Sequence, residues 1–209
     1  MVKTFEIKDK FVLSKLNHIE SRLLNINYDN VLVEDHECFD EKNRRLSEEY
    51  LKHIMLQRDN HKGYPSRQPR YYNSKYGKDV IDDEIYKHKC SLTEYMFCQR
   101  ICLDVFYPPK SYCDWHNNAN ASGYGIMFTW SETGEGDFRY WDNDKKEVII
   151  IPDKKGWNAK QFYFGAYDEP EKLVYHASSN DCLRYSMAFN FMDEKEVWED
   201  TIEMLVSDE

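Results

Sequence analysis

The chain has 209 residues with 41% hydrophobic and 15% aromatic content, which is enough for one compact domain with a sizeable core and short for two. Its net charge of −10 opposes general attraction to phosphate backbones and anionic membranes, and no run approaches the roughly 20 apolar residues that span a bilayer. Six cysteines lack paired zinc-ligand spacing and no apolar leader precedes them, which favours free thiols in a soluble, cytoplasmic protein.

Amphipathic patterns predict two supporting helices in the N-terminal part, residues 1–90. Residues 11–26 and 46–57 each place apolar side chains on one helical stripe, and Ser47 is a suitable N-cap for the second helix. Residues 58–78 hold six Lys or Arg, four Tyr, two Pro and two Gly, which predicts an irregular loop. This loop is interpreted either as a variable surface connection or as a lid for an anionic substrate, and it is the one place that could bind nucleic acid.

Residues 91–192 carry short runs rich in β-branched and aromatic residues, separated by turn-forming residues. The strand-like pattern begins at residue 95 and recurs at even spacing, which predicts a sandwich or barrel. The acidic tail, residues 193–209, is predicted to form a helix whose apolar side packs on the core. We therefore expect a mainly β domain with flanking helices and no internal repeat.

Three candidate functional residues stand out in the strand-rich part. His116 follows a short connection and precedes an apolar strand, and His176 is predicted at the end of a strand. Arg184 begins the last strand and shares one face with Ser186, whereas bulky apolar residues share the other face. A buried guanidinium needs an anionic partner, which a dicarboxylate ligand or a protein carboxylate would supply. Imidazole is a common ligand of iron and zinc, so the pattern indicates a metal site beside an anion site.

The order of these parts resembles the iron(II)/2-oxoglutarate-dependent oxygenases, particularly their prolyl-hydroxylase-like branch, and is similar to small phage-encoded predicted oxygenases. The matching parts are a Tyr107-Pro108 turn, His116, a glycine-rich turn from Gly134 to Phe138, a Pro152-x-x-x-Gly156 segment, His176 and Arg184-x-Ser186. The resemblance covers residues 95–192 and leaves the N-terminal half unmatched. It implies a double-stranded β-helix, a cupin-like jelly roll, and a dioxygenase that hydroxylates its substrate with Fe(II), 2-oxoglutarate and dioxygen.

The resemblance also implies roles for individual residues. His116, Asn118 and His176 would be metal ligands, and with Arg184 they form the implied catalytic set. Arg184 and Ser186 would bind the distal carboxylate of 2-oxoglutarate. Tyr107 or Tyr112 would donate a hydrogen bond to the same carboxylate, and two further aromatic residues would shape the pocket: Phe128 and Trp130. The implied substrate is a peptidyl side chain or another small molecule.

Asn118 departs from the family pattern, which has a carboxylate at this position. A neutral amide oxygen is a weaker metal donor than a carboxylate. Three interpretations remain. Asn118 contacts the metal directly or through a bound water, or Asp114 or Glu135 supplies the carboxylate instead. In the third interpretation the site is degenerate, and the β shell serves as a binding or structural protein. Halogenases have Gly or Ala at this position, and a zinc or general cupin site would place more histidines near His116, so both are disfavoured.

Overall fold

The structure is a computed structural model that describes residues 2–27, 36–56, 83–107 and 109–207. The basic, tyrosine-rich stretch at residues 58–78 lies outside these ranges, so its role as a lid or a nucleic-acid contact stays a prediction. Within the described ranges no helix combines the length and apolar character needed to cross a membrane. Five cysteines are free thiols: Cys90, Cys98, Cys102, Cys113 and Cys182.

Five α-helices and nine β-strands make up the described part of the chain. The helices are α1 (Lys10–Leu23), α2 (His36–Arg45), α3 (Glu48–Leu56), α4 (Asp83–Tyr95) and α5 (Lys195–Val206). The strands are β1 (Lys3–Phe5), β2 (Arg100–Tyr107), β3 (Tyr112–His116), β4 (Gly123–Ser131), β5 (Gly136–Asp142), β6 (Glu147–Pro152), β7 (Gly156–Phe164), β8 (His176–Asn180) and β9 (Arg184–Asn190). Helices therefore flank a continuous series of strands from β2 to β9.

These eight strands pair in a nested antiparallel order: β2 with β9, β3 with β8, β4 with β7, and β5 with β6. The pattern is that of one long hairpin that turns between β5 and β6 and is wrapped so that β4 also pairs with β9 and β5 with β8. Two sheets result, in the orders β1-β7-β4-β9-β2 and β3-β8-β5-β6. Eight strands connected in this way form a jelly roll, so the predicted double-stranded β-helix core is confirmed.

Helices cover the outer faces of both sheets. Leu16 of α1 and Leu92 of α4 share a buried cluster with Tyr185, Met187 and Phe189 of β9, and α5 contributes to the same cluster. Residues of α3 pack in a second cluster against the four-stranded sheet. Alternation in β9 thus directs its large apolar side chains outward to the helices, as predicted, and leaves its other face for the space between the sheets.

The predicted helices are present, with their caps in place. The backbone N–H of Val12 donates to Oδ1 of Asp9 at 2.7 Å at the start of α1. The N–H of Tyr50 donates to Oγ of Ser47 at 3.1 Å at the start of α3, as the sequence predicts. These side chains satisfy N–H groups that the helices leave without internal partners.

The strand-like interpretation of residues 95–99 is wrong, because α4 continues through Tyr95 and β2 begins only at Arg100. Ile85 and Leu92 lie two helical turns apart and are both buried against the five-stranded sheet. Packing of that apolar face on the sheet outweighs the β propensity of the aromatic residues at the end of the helix. α2 and β1 were also not predicted.

A buried ion pair joins α4 to the sheet, and its loss is expected to destabilise the fold. Nζ of Lys89, which is 2% exposed, contacts Oδ2 of Asp104, and the Tyr185 hydroxyl donates to Oδ1 of the same carboxylate at 2.6 Å. We expect Asp104→Asn to lower the free energy of unfolding by about 3 kcal/mol, since it leaves a buried ammonium without its counter-charge. Urea denaturation measures this, with Glu84→Gln, which breaks the exposed pair with Lys87, as control. Equal small losses in the two variants would contradict the assignment.

Candidate active site

A cavity of about 550 Å³ lies between the two sheets. The inward face of β9 lines it with Arg184, Ser186, Ala188 and Asn190, as the alternation of that strand predicts. Among the described residues that line the cavity none is Asp or Glu, whereas two are arginines, Arg100 and Arg184. In a chain of net charge −10 this local excess of positive charge favours an anionic ligand.

The two predicted histidines lie side by side on the cavity wall. His116 is the last residue of β3 and His176 is the first of β8, and the two are opposite partners in the ladder. Their ring centroids are 4.2 Å apart, and the Phe164 ring stacks on His176 at 4.6 Å. The predicted position of His176 at the end of a strand is wrong, because His176 begins β8; His116 ends β3 and precedes the apolar strand β4, as predicted. Antiparallel pairing of a strand end with a strand start is what brings the two imidazoles together.

Backbone carbonyls fix the orientation of both imidazole rings. Nδ1 of His116 lies 2.6 Å from the carbonyl oxygen of Asp114, and Nδ1 of His176 lies 3.2 Å from that of Val174. A carbonyl oxygen only accepts, so each Nδ1 carries a proton and donates it in this contact. Burial, reinforced by the neighbouring His116, lowers the pKa of His176 well below its ordinary value. His176 is therefore neutral near pH 7, which is the form that ligates a metal.

A β-bulge in β3 decides which side chains accompany His116. The register shifts between Cys113 and His116, so these two residues share the cavity face although they lie three positions apart. Asp114, predicted as an alternative carboxylate on the same face as His116, instead accepts a hydrogen bond from Nη1 of Arg45 at 2.7 Å. Its carboxylate is thus directed to α2 and not to the cavity. Strict alternation would place Asp114 and His116 on the same face of β3, but the bulge adds one residue between Cys113 and His116 and turns Asp114 away from the cavity.

The amide-rich loop after His116 contributes two residues to the cavity. Asn118 is exposed and lines the cavity, so it lies at the cavity opening. Asn117 is buried, its Oδ1 accepts from the N–H of Ala119 at 2.8 Å, and its Nδ2 has no hydrogen-bond partner among the described residues. Glu135 is exposed, accepts a hydrogen bond from Thr133 at 2.7 Å and does not line the cavity. Within the described ranges no three His, Cys, Asp or Glu side chains are grouped to hold a metal.

At the other end of the cavity Arg184 is 2% exposed and shares a carboxylate with a second buried cation. Nε of Arg184 donates to Oδ2 of Asp153 at 2.8 Å, and Nζ of Lys160 lies 3.4 Å from Oδ1. Nη2 of Arg184 is buried without a hydrogen-bond partner among the described residues. The Arg184 guanidinium also lies 5.6 Å from the centroid of the Tyr107 ring. The protein-carboxylate partner considered for Arg184 is thus present, yet one edge of the guanidinium stays unpaired.

The pKa values of the three charged groups reflect this shared contact. Burial acts to raise the pKa of Asp153, but the Arg184 and Lys160 charges outweigh it and hold that pKa below its ordinary value. Burial lowers the pKa of Lys160 to about 8, against the opposing effect of Asp153. Burial opposes the charge on Arg184, yet the Asp153 carboxylate keeps the Arg184 pKa above its ordinary value. One anion and two cations leave the cluster with a net charge of +1 below about pH 8.

The four aromatic residues predicted near the cosubstrate divide into one that lines the cavity and three that do not. Tyr107 lines it, next to Arg184. Phe128 and Trp130 face outward into the cluster with the helices, and Tyr112 packs under α3. The prediction for β4 chose the wrong face of the strand, since Gly123 and Met127 are the residues of β4 that line the cavity. Thr129 pairs with the inward-facing Ser186, so Thr129 also faces inward and its neighbours Phe128 and Trp130 face outward.

Two buried residues of the site, Asp153 and Lys160, were not predicted. Asp153 lies within the Pro152-x-x-x-Gly156 segment, which matches the family layout by its proline and glycine and not by its carboxylate. Lys160 alternates with Phe162 and Phe164, so strand periodicity could have placed it on the inward face of β7. A lysine among inward-facing aromatic residues is the signal that was available.

The fold has structural neighbours at low similarity. A Pseudomonas putida prolyl-4-hydroxylase matches with TM-score 0.32 and 12% identity over 58% of this chain and 70% of that chain. A Trichoplax adhaerens prolyl hydroxylase, in complex with a hypoxia inducible factor peptide fragment, matches with TM-score 0.39 and 14% identity over 89% and 94%. OsALKBH1 matches with TM-score 0.29 and 15% identity over 63% and 69%. No protein-family model and no curated protein sequence matches the chain. These values assign no reaction, and the fold rests on the strand pairings.

Proposed function

We propose that this chain is an Fe(II)- and 2-oxoglutarate-dependent dioxygenase that hydroxylates its substrate. The observation that carries the proposal is the pair of imidazoles, 4.2 Å apart, on the wall of a cavity that also contains a buried arginine with an unpaired Nη2. Metal ligands and an anion-binding cation in one cavity are what a chelating dicarboxylate cosubstrate requires.

The donor atoms fit a divalent cation that accepts nitrogen and oxygen ligands. His116 and His176 are the proposed nitrogen ligands, and backbone carbonyls hold both rings through their Nδ1 atoms. Asn118, at the cavity opening, is the proposed third ligand through its amide oxygen. Because this ligand is neutral, the metal would keep more positive charge and bind more weakly than with a carboxylate. Bound iron with 2-oxoglutarate and dioxygen supplies the oxidation of a C–H bond.

The remaining residues of the site bind and orient. Arg184 is proposed to hold the distal carboxylate of 2-oxoglutarate with its unpaired Nη2, and Ser186, two residues along the same face of β9, is its proposed neighbour in that contact. Tyr107 lies beside the guanidinium and limits its movement. Three phenylalanines give the cavity an apolar part of its wall, which would limit the access of water: Phe138, Phe162 and Phe164.

The proposed substrate class is a peptidyl side chain or another small molecule that enters at the opening lined by Asn118. This part of the proposal rests on the layout shared with the prolyl-hydroxylase-like branch. Arg100, also a cavity-lining residue, is the charged side chain of β2 that such a substrate would meet.

A second candidate function is a binding or structural protein that keeps the jelly roll without a competent metal site. Among the residues that the structure describes, no three His, Cys, Asp or Glu side chains form a group that could hold a metal ion, which favours this candidate. The two candidates differ in one property: the oxygenase binds Fe(II) and 2-oxoglutarate together, and the scaffold does not.

Anaerobic titration of Fe(II) and 2-oxoglutarate into the metal-free protein tests the proposal. We expect a weak visible charge-transfer band in the wild type and its loss in His116→Ala and in Arg184→Ala. His88→Ala, a histidine on α4 whose ring lies 4.9 Å from that of His18, is the matched control and should keep the band. A wild-type protein that gives no band at saturating metal supports the scaffold and contradicts the oxygenase.

A further inference from the structure

The two oxygens of the Asp153 carboxylate are divided between two cations. Oδ2 accepts from Nε of Arg184 at 2.8 Å, and Oδ1 faces Nζ of Lys160 at 3.4 Å. All three side chains are at most 2% exposed, so water does not compete for these contacts. A carboxylate beside an arginine usually binds two of its N–H groups in parallel, and here it binds one. The consequence is the unpaired Nη2 of Arg184.

We propose that Lys160 is a positioning residue, which holds Asp153 away from a bidentate contact with Arg184 and so keeps the Arg184 Nη2 edge available for the carboxylate of a dicarboxylate ligand. The inference deepens the proposed function and rests on it for the identity of that ligand. Lys160 does not line the cavity, so it acts through Asp153 and not by touching the ligand.

The charge balance supports this role. With Lys160 protonated the cluster has two cations and one anion, and the cavity-lining residues that the structure describes add no carboxylate. A bound ligand carboxylate would bring the cluster to neutrality in a region of low dielectric, where an uncompensated charge is costly. Without Lys160, Arg184 and Asp153 would already be neutral as a pair. The cavity end would then have little attraction for an anion.

The surroundings of Lys160 identify what controls its charge. Asp153 and Asp137 favour the protonated form, Arg184 opposes it, and the Phe138 ring centroid lies 5.9 Å from Nζ. Burial lowers the pKa of Lys160 to about 8. Anion affinity that depends on protonated Lys160 is therefore constant below about pH 8 and falls as the pH rises above it.

Glutarate titrated into the metal-free full-length protein tests the inference, because this dicarboxylate lacks the 2-oxo group that chelates a metal. Calorimetry or NMR should show saturable binding to the wild type and a loss of about tenfold or more in affinity in Lys160→Met. The matched control is Lys89→Met, which removes another buried, ion-paired lysine on the helix side of the same sheet. It should lower stability and leave glutarate affinity unchanged.

The pH profile separates positioning from a structural effect. Wild-type affinity should fall above about pH 8, where Lys160 loses its proton, and Lys160→Met should give a flat profile. Equal affinities in the wild type and Lys160→Met, or a wild type that binds no glutarate, would overturn the inference. Because no metal is present, these results do not depend on iron binding: glutarate binding without a charge-transfer band would reject the oxygenase and retain the role of Lys160.

Discussion

Replacing Asp153 with asparagine is expected to lower the free energy of unfolding by about 3–5 kcal/mol near pH 7. Asp153 is the carboxylate between Arg184 and Lys160, and none of the three side chains is more than 2% exposed. Asparagine keeps the volume and one acceptor oxygen but removes the negative charge. Two buried cations then face a neutral amide, and neither is solvated by water.

The pH dependence of this loss has a defined sign. The pKa of Lys160 is lowered from 10.5 to about 8 in the folded protein, so between these values the unfolded chain binds one proton more than the folded chain. Stability from this group therefore rises with pH across that window. Asp153 acts to raise the Lys160 pKa, so its removal lowers that pKa further and extends the window to lower pH. The loss in Asp153→Asn should be largest near pH 7 and smaller near pH 10.

Urea denaturation at the two pH values measures both effects, with Glu48→Gln as the control. Glu48 pairs with Lys52 on α3, outside the cluster, and both side chains are exposed, so its loss should cost less. Glutarate should raise the stability of the wild type by mass action, which links the cluster to its proposed ligand. A loss that does not change with pH would show that Lys160 remains protonated and would contradict the argument.

Replacing Asn118 with aspartate is expected to increase Fe(II) affinity by roughly tenfold to a hundredfold. Asn118 lies at the opening of the cavity that His116 and His176 also line. A carboxylate would complete a ligand set of two imidazoles and one anion, and it would remove part of the positive charge that the metal brings into the cavity. The same change should strengthen the charge-transfer band with 2-oxoglutarate.

The neighbouring residue provides the control for this experiment. Asn117 is buried, and its Oδ1 already accepts a hydrogen bond from Ala119, so Asn117→Asp adds the same charge without adding a ligand at the opening. Fe(II) titration of both variants, monitored by calorimetry under nitrogen, distinguishes ligation from a general effect of charge. An equal rise in the two variants would show that Asn118 is not a ligand.

Local patterns were sufficient for several parts of the structure. Alternation in β9 predicted that Arg184 and Ser186 share an inward face, since strand geometry repeats every two residues irrespective of the partner strand. The Ser47 cap and the apolar stripe of α1 are likewise properties of consecutive residues. Helices α2 and α4 were missed because neither carries a pattern that stands out from its neighbours, and α4 is stabilised by its contact with the sheet.

By itself the sequence determined the class of the fold and three residues of the candidate site, His116, His176 and Arg184, because periodicity and residue chemistry are local properties. Only the tertiary structure decided how these residues meet. The bulge in β3 turns Asp114 to Arg45, and the register of β4 turns Phe128 and Trp130 outward; both follow from long-range strand pairing. The ion pairs of Asp153 with Lys160 and Arg184 join the end of β6 to β7 and β9. Because these three charged residues meet only when the strands pack, no local sequence pattern predicts their contact.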